Sequence, residues 1–247
     1  MRGMMDLRGK SVLITGAARR IGRSIALGFA AAGANVSITY LNSEKDASRT
    51  VADLTSLGVQ ANAIRADVRE EQSIAAAITH TVQKFGGLDV LVNNAAVYET
   101  VRFEQITLEQ WDRMFETNTR GPFLSSKAAI EALRRSNGRI INIGSLGGIR
   151  PWATHAHYCS SKAALIMLTQ AMAKALAPLI SVNCVAPGMI STGENRDEAL
   201  IQKIAAKTPM KRAGTPEDVA EAVLFFAQAT HFITGQVITV DGGLGLE

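Results

Sequence analysis

Residues 10–22 read Lys-Ser-Val-Leu-Ile-Thr-Gly-Ala-Ala-Arg-Arg-Ile-Gly, and this stretch decides the fold. The β-branched run from Lys10 to Thr15 predicts a short strand, and the segment from Gly16 to Gly22 predicts a turn that leads into a helix. A strand, a glycine turn and a helix in this order direct backbone N–H groups and the positive end of a helix dipole at an anion. The alternative is an ordinary tight turn.

Strand and helix patterns alternate along the rest of the chain. Further strands are predicted at 35–40, 60–65, 88–92, 139–143, 181–185 and 236–240, and the main helices at 43–57, 70–85, 108–135 and 217–228. This alternation predicts an α/β fold: a single-domain, Rossmann-type, doubly wound parallel sheet of about seven strands with helices on both faces. The domain is expected to span residues 1–247, with a substrate lid at about 189–210, where the sequence is polar and weakly patterned.

Composition limits the classes of function. The chain has 247 residues, of which 47% are hydrophobic, enough to bury a full core. No run approaches the ~20 apolar residues that span a bilayer, so we expect a soluble, cytoplasmic protein without a membrane partner. Cys159 and Cys184 are expected to be free thiols. The net charge of +4 is spread along the chain, which argues against nucleic acid as a partner and is compatible with an anionic ligand.

Residues 144–162 carry the candidate reactive groups. Tyr158 and Lys162 lie four residues apart near the predicted start of a helix, so they share a face. An ammonium one turn away favours the phenolate, and Lys162 is therefore expected to lower the Tyr158 pKa from its usual value of about 10. Ser145 follows the strand at 139–143, at the sheet edge where ligands bind in open α/β folds. The alternative is that Tyr158 and Lys162 are surface residues that match a common spacing by chance.

The residues after the second strand favour one dinucleotide. A carboxylate there would accept the ribose hydroxyls of NAD, but this chain has Tyr40, Asn42 and Ser43, with Arg19 and Arg20 in the facing loop. Hydroxyl, amide and guanidinium groups suit a 2′-phosphate, so NADP(H) is the expected cofactor. The alternative for the arginines is simple solvation.

Two polar residues have open interpretations. Asp67 follows the third strand and is placed either to accept the adenine amino group or to cap a helix. Asn118 falls inside the predicted helix at 108–135, so it is either exposed or makes a specific hydrogen bond. In that helix Phe115, Phe123 and Leu124 are expected to mark the buried side.

The region around the reacting centre is expected to form the substrate pocket. Its predicted lining residues are Tyr98, Ser145, Trp152, His155 and Met189. His155 and His157 have no third ligand beside them, so no metal site is expected.

Several motifs occur together in a fixed order: Thr15-Gly16 to Gly22, Asn93-Asn94-Ala95, Ser145, Tyr158 to Lys162, and Pro187-Gly188. With this set the sequence resembles the short-chain dehydrogenases/reductases along essentially its whole length. It is most similar to the 3-oxoacyl-acyl-carrier-protein reductases, with some likeness to pteridine reductases around the cofactor loop. The resemblance implies a homotetramer.

The resemblance also implies roles for individual residues. Tyr158 would exchange a proton with the substrate oxygen, Lys162 would assist it and hold the nicotinamide ribose, Ser145 would polarise the carbonyl, and Asn118 would anchor a water of the proton relay. Residues expected at the dinucleotide are Gly16, Arg19, Arg20, Ile21, Gly22, Tyr40, Asn42, Ser43, Asp67, Val68, Asn94, Ala95, Ala96, Tyr158, Lys162, Pro187, Gly188, Ile190 and Thr192.

Three departures from the family pattern bear on the substrate. Arg20 stands where a third glycine is usual, Ala96 replaces a glycine, and residues 178–180 are apolar where carrier-protein reductases commonly have basic residues. The expected activity is NADPH-dependent reduction of a carbonyl to an alcohol, with a small carbonyl compound or a 3-oxoacyl thioester as substrate. The alternatives are an alcohol or polyol dehydrogenase, a pteridine or quinone reductase, and a non-catalytic NADP sensor.

Overall fold

A computed structural model describes residues 5–193 and 198–246, and over these ranges seven strands form one sheet. The strands are β1 (Ser11–Ile14), β2 (Asn35–Tyr40), β3 (Ala61–Arg65), β4 (Val90–Asn93), β5 (Arg139–Ile143), β6 (Ser181–Pro187) and β7 (Val237–Val240). All pairs are parallel, in the order β3-β2-β1-β4-β5-β6-β7. The predicted doubly wound parallel sheet is confirmed.

Helices cover both faces of the sheet. They are α1 (Arg20–Ala31), α2 (Glu44–Ser56), α3 (Glu71–Phe85), α4 (Leu108–Phe115), α5 (Gly121–Ser136), α6 (Ala156–Leu176), α7 (Glu198–Lys207) and α8 (Pro216–Gln228). Because side chains alternate along a strand, Val12 and Ile14 join the core beneath α1 and α8, whereas Leu13 joins the core beneath α3 and α5. The sheet is therefore buried on both sides, as a parallel sheet requires.

The predicted long helix at 108–135 is interrupted. Between α4 and α5 the backbone forms a π-helical segment, Glu116–Arg120. This wider turn shifts the faces of the two helices relative to each other. Phe123, predicted on the buried side, is 45% exposed, whereas Leu124 is buried as expected. The prediction for Phe123 is wrong because it assumed one uninterrupted period.

The sheet topology creates one crevice. β1 pairs with both β2 and β4, so the order of the strands reverses there, and ligands of open α/β sheets bind outside the carboxyl ends of the strands at this point. β1 leads into Gly16, β4 into Asn94, β5 into Ser145 and β6 into Gly188. The topology therefore gathers the predicted motifs at one edge.

The predicted lid overlaps α7, and residues 194–197 lie outside the described ranges. The start of the lid is bonded to the chain just after its end: Gly214 N–H donates to the Met189 carbonyl at 2.9 Å, and Ser191 N–H donates to the Gly214 carbonyl at 2.8 Å. Both cysteines are free thiols, as predicted. Across the described ranges, none of the helices has the length and apolar character needed to cross a bilayer.

Candidate active site

Tyr158 and Lys162 lie in the first two turns of α6, beside the end of β5. The Lys162 ammonium is 2% exposed, and its Nζ donates to the Ile143 carbonyl at 2.8 Å. The same Nζ lies 5.9 Å from the centre of the Tyr158 ring. The lysine therefore ties the helix that carries Tyr158 to the carboxyl end of the central sheet.

Burial controls the proton affinity of both groups. It raises the pKa of Tyr158 to about 12, against a smaller lowering effect from a hydrogen bond with Ser145. It also lowers the pKa of Lys162 to about 8. The predicted lowering of the Tyr158 pKa by Lys162 is not found in this structure, because desolvation of the phenolate raises the pKa and Lys162 contributes no opposing effect. Tyr158 is consequently a neutral phenol at physiological pH.

Ser145 is fixed in the loop that follows β5. Its Oγ accepts a hydrogen bond from Gly147 N–H at 3.0 Å, and the residue is 4% exposed. The loop also lies against α6, since a Cβ on Gly148 would come within 2.8 Å of the Lys162 carbonyl carbon. Ser145 is thereby held beside Tyr158, close enough to lower the pKa of the phenol.

Of the two interpretations of Asn118, exposure or a specific hydrogen bond, the structure shows the second. It is fully buried in the π-helical segment, its Oδ1 accepts from Val97 N–H at 2.9 Å, and its Nδ2 donates to the Val97 carbonyl at 3.0 Å. Nδ2 also lies 3.1 Å from the Ser161 hydroxyl, which it reaches as a donor. Asn118 therefore joins the loop after β4 to α6, and π-helical turns of this kind often occur at functional sites.

The loop after β1 is tied to the loop after β4. Thr15 Oγ1 accepts hydrogen bonds from Asn94 N–H and Ala95 N–H, each at 3.0 Å, and Asn94 Nδ2 donates to the Gly16 carbonyl at 3.0 Å. Gly16 has a φ of +63°, and a Cβ there would lie 2.8 Å from the Ala95 Cα. Only glycine suits both the conformation and the approach.

The start of α1 has the features of an anion site. Arg19 precedes the helix and its side chain makes no capping hydrogen bond, and the first turn contains no acidic residue. Neighbouring segments hold the loop: Gly16 N–H donates to Thr39 Oγ1 at 3.1 Å and Thr50 Oγ1 donates to the Ala18 carbonyl at 2.8 Å. Backbone donors and two exposed arginines at a helix N-terminus fit a dinucleotide phosphate.

Arg20 has an unusual backbone. Its φ is +54°, in the left-handed region that favours glycine. A non-glycine residue there costs roughly 1 kcal/mol or more in backbone strain. The chain thus has a guanidinium at a position where the backbone conformation favours glycine.

The other predicted cofactor residues differ in their contacts and their burial. Asp67 pairs with the Arg69 guanidinium at 2.6 Å, which lowers the pKa of the carboxyl group. It does not cap α3, which follows Glu70, so the capping alternative is wrong. Val68 and Ile190 are buried, at 7% and 8% exposed.

Aromatic side chains surround Tyr158. The Tyr98 ring meets the Tyr158 ring edge to face at 5.0 Å between centres, and the Trp152 ring is nearly parallel to it at 6.2 Å. His155 Nε2 lies 2.6 Å from the Tyr98 hydroxyl. Tyr98, Trp152 and His155 are therefore together beside the reactive hydroxyl, as predicted, while Met189 contributes its carbonyl to the Gly214 contact.

Sequence reasoning missed a second set of contacts behind this pocket. Glu99 Oε2 lies 3.1 Å from an Arg113 guanidinium nitrogen and 3.7 Å from Nε2 of the fully buried His157. Val101 N–H donates to the Thr154 carbonyl at 2.9 Å. Residues 97–101 are thus fastened along the start of α6. Within the part of the chain that the structure describes, no three His, Cys, Asp or Glu side chains are grouped to hold a metal ion.

Comparison with known proteins identifies the family. A family model described as enoyl-(acyl carrier protein) reductase matches residues 16–245. A short-chain dehydrogenase from Burkholderia cenocepacia, solved in complex with NADP, is 37% identical, with a TM-score of 0.92 over 97% of this chain and 99% of that chain. The chain belongs to the short-chain dehydrogenase/reductase family.

Curated relatives of this short-chain dehydrogenase/reductase have different substrates in their names. The 3-oxoacyl-[acyl-carrier-protein] reductase of Staphylococcus aureus is 38% identical over 95% of this chain and 98% of the relative. The 3beta-hydroxysteroid dehydrogenase 1 of Eggerthella lenta is 35% identical over 98% of this chain and 95% of the relative. Membership of the family establishes an oxidoreductase, and the relatives' names diverge on the substrate.

The buried ammonium of Lys162 makes stability depend on pH. Since its pKa is about 8 in the folded chain against a usual 10.5, the folded protein binds fewer protons than the unfolded chain between these values. The contribution of this group to the free energy of unfolding should increase by roughly 3 kcal/mol at most as the pH rises from 8 to 10.5. Urea unfolding across this range, compared with Lys162→Met, measures it. An identical pH dependence in both proteins would contradict the assignment.

Proposed function

We propose that this short-chain dehydrogenase/reductase reduces a carbonyl to an alcohol with NADPH as the electron donor. The observation that carries the proposal is geometric: the Tyr158 phenol lies beside Ser145 and next to the buried Lys162, whose Nζ is bound to the end of β5. A neutral phenol is the form that gives a proton to a developing alkoxide, whereas alcohol oxidation requires the phenolate as base. The same groups can oxidise an alcohol or polyol, and we propose reduction because the loop after β1, with two exposed arginines, suits NADP(H), the dinucleotide that reductive enzymes usually use.

The mechanism uses hydrogen-bond donors at the substrate oxygen. NADPH, when bound, would supply the hydride that the carbonyl carbon accepts, and the substrate oxygen would then gain the negative charge of an alkoxide. The hydroxyl groups of Ser145 and Tyr158 donate hydrogen bonds to this oxygen as the charge develops, and Tyr158 then transfers its proton. Lys162, with a pKa of about 8, populates both proton states near neutral pH and is placed to stabilise the phenolate and return its proton.

Asn118 acts in this scheme as a positioning residue. Its side-chain amide accepts a hydrogen bond from Val97 N–H and donates one to the Val97 carbonyl. It also donates to the hydroxyl of Ser161, which lies one turn of α6 after Tyr158. The loop that borders the substrate therefore keeps a fixed position relative to the phenol. A water of the proton relay anchored by Asn118 stays a prediction.

We further propose that the cofactor is NADP(H) and that Arg19, Arg20, Asn42 and Ser43 receive its 2′-phosphate. Support comes from the positive charge beside the end of β2, the lack of a carboxylate in residues 40–43, and the B. cenocepacia structure in complex with NADP. A non-catalytic sensor would not require Tyr158 and Lys162 to be arranged together.

The quaternary structure proposed here is the homotetramer implied by the family. On the helices that carry the active site, Trp111 is 36% exposed, Phe123 45% and Met167 63%. These side chains lie on α4, α5 and α6, and contact between subunits would remove them from water.

Replacement of the proton donor tests the reaction. Tyr158→Phe should lower kcat for carbonyl reduction by at least about 100-fold, because the phenyl ring has no proton to give. The dissociation constant of NADPH, measured by fluorescence titration, should stay within about twofold of the unmodified protein. A variant that keeps more than a tenth of the activity would exclude Tyr158 as the donor.

The cofactor loop has its own test. Arg20→Gly should weaken NADPH binding by about tenfold or more and leave NADH binding nearly unchanged, because only NADPH carries the 2′-phosphate. The same variant should unfold at a higher temperature, since glycine relieves the positive φ at this position. Arg23→Ala serves as the control, because Arg23 pairs with Asp53 at 2.7 Å. Equal losses for both dinucleotides would contradict the role of Arg20.

A further inference from the structure

We propose that the substrate of this site is a rigid ketone that carries a flat aromatic ring, and not an open-chain acyl thioester. The inference rests on the proposed reduction at Tyr158. The ketone carbon gains a hydride, its oxygen gains the proton of Tyr158, and NADPH is oxidised to NADP+. What the structure adds is the shape and chemistry of the surface beside that hydroxyl.

Two aromatic rings at right angles form this surface. Tyr98 presents its ring to Tyr158 with an interplanar angle of 85°, whereas Trp152 is parallel to Tyr158 within 16°. His155 occupies the corner between them, stacked on Tyr98 at 4.9 Å and edge-on to Trp152 at 5.5 Å. A substrate oxygen that reaches Tyr158 brings its carbon skeleton against this aromatic corner.

The corner is open on the substrate side. Tyr98 is 60% exposed and Trp152 is half-buried, so both rings have free surface. Exposed aromatic rings next to a reactive group favour a partner with its own flat π-system, because offset stacking adds to the burial of apolar area. A flexible acyl chain gains no such contact and also loses more conformational freedom on binding.

Hydrogen bonds hold the corner in place before any ligand arrives. His155 Nε2 lies 2.6 Å from the Tyr98 hydroxyl, and its Nδ1 lies 3.0 Å from Thr154 Oγ1. Burial and the neighbouring His157 lower the pKa of His155, which favours the neutral imidazole, and its Nε2 also lies 3.0 Å from the Thr100 hydroxyl. The loop beside Tyr98 is fixed by Asn118 and by the Val101 contact with Thr154. A preformed surface favours a rigid ligand.

Sequence similarity alone does not separate the two substrate classes. The reductase that is named for acyl-carrier thioesters is 38% identical, and the dehydrogenase that is named for a hydroxysteroid, a fused-ring alcohol, is 35% identical. The aromatic corner of this chain favours a ring over an open chain, and an aromatic ring over a saturated one.

A matched pair of ketones tests the inference. 2-Tetralone and 2-decalone share a fused six-ring skeleton and a ketone position, but only 2-tetralone carries an aromatic face. With NADPH, kcat/KM should be about fivefold or more higher for 2-tetralone than for 2-decalone, and higher for 2-tetralone than for acetoacetyl-N-acetylcysteamine, an open-chain thioester. Tyr98→Leu and Trp152→Leu should each reduce the tetralone-to-decalone ratio by about two- to tenfold. Phe232→Leu, at a 96% exposed ring outside the site, should not change this ratio.

A binding measurement complements the kinetics. The chain has two tryptophans, so Trp111→Phe leaves Trp152 as the sole indole fluorophore. In this variant 2-tetralone should quench the emission at lower concentrations than 2-decalone. This readout stands even if the leucine variants fail to fold.

These experiments distinguish failure of the proposed carbonyl reduction from failure of the inference about the substrate. If none of the three carbonyl compounds is reduced, the proposed function fails. If the thioester or 2-decalone is reduced as well as 2-tetralone, or if folded leucine variants leave the ratio unchanged, reduction stands and the ring-ketone inference is overturned.

Discussion

The hydrogen bond from the buried Lys162 ammonium to the Ile143 carbonyl is the contact on which the site depends. A charge placed in the protein interior is unfavourable unless it finds partners, and the low pKa of this lysine reflects that penalty. The contact joins the second turn of α6 to the last residue of β5. Tyr158, one turn earlier, is thereby fixed relative to the sheet edge.

Two further sets of hydrogen bonds lie at the same edge of the sheet. Thr15 Oγ1 binds the backbone that follows β4, and the Asn118 amide binds Val97 in the next part of that loop. The ends of β1, β4 and β5 are thus connected to one another and to α6 by hydrogen bonds whose donors and acceptors are matched. Matched polar networks in a protein interior favour one arrangement over others, and here that arrangement places the phenol, the serine and the cofactor loop together.

Much of this organisation follows from local sequence patterns. The bounds of β2 were predicted correctly because its residues alternate cleanly, and the spacing of Tyr158 and Lys162 placed both on one helical face. The partners of Asn118 and Thr15 were not predictable from the sequence. They are backbone atoms 21 and 79 residues away, and every residue has such atoms, so the sequence carries no pattern that marks them. Phe123 was misplaced because a π-helical segment changes the period. The sign of the Tyr158 pKa shift was wrong because burial was not visible in the sequence.

The protonation of Tyr158 reports how strongly burial acts on the group that is proposed to donate the proton. An absorbance titration at 295 nm of the protein and of Tyr158→Phe isolates this phenol, because the other two tyrosines are common to both proteins. Circular dichroism at each pH confirms that both stay folded. If burial raises the pKa of Tyr158 to about 12, the two titration curves should coincide up to about pH 11. An additional ionisation in the unmodified protein with a midpoint of about 10 or lower would contradict the account.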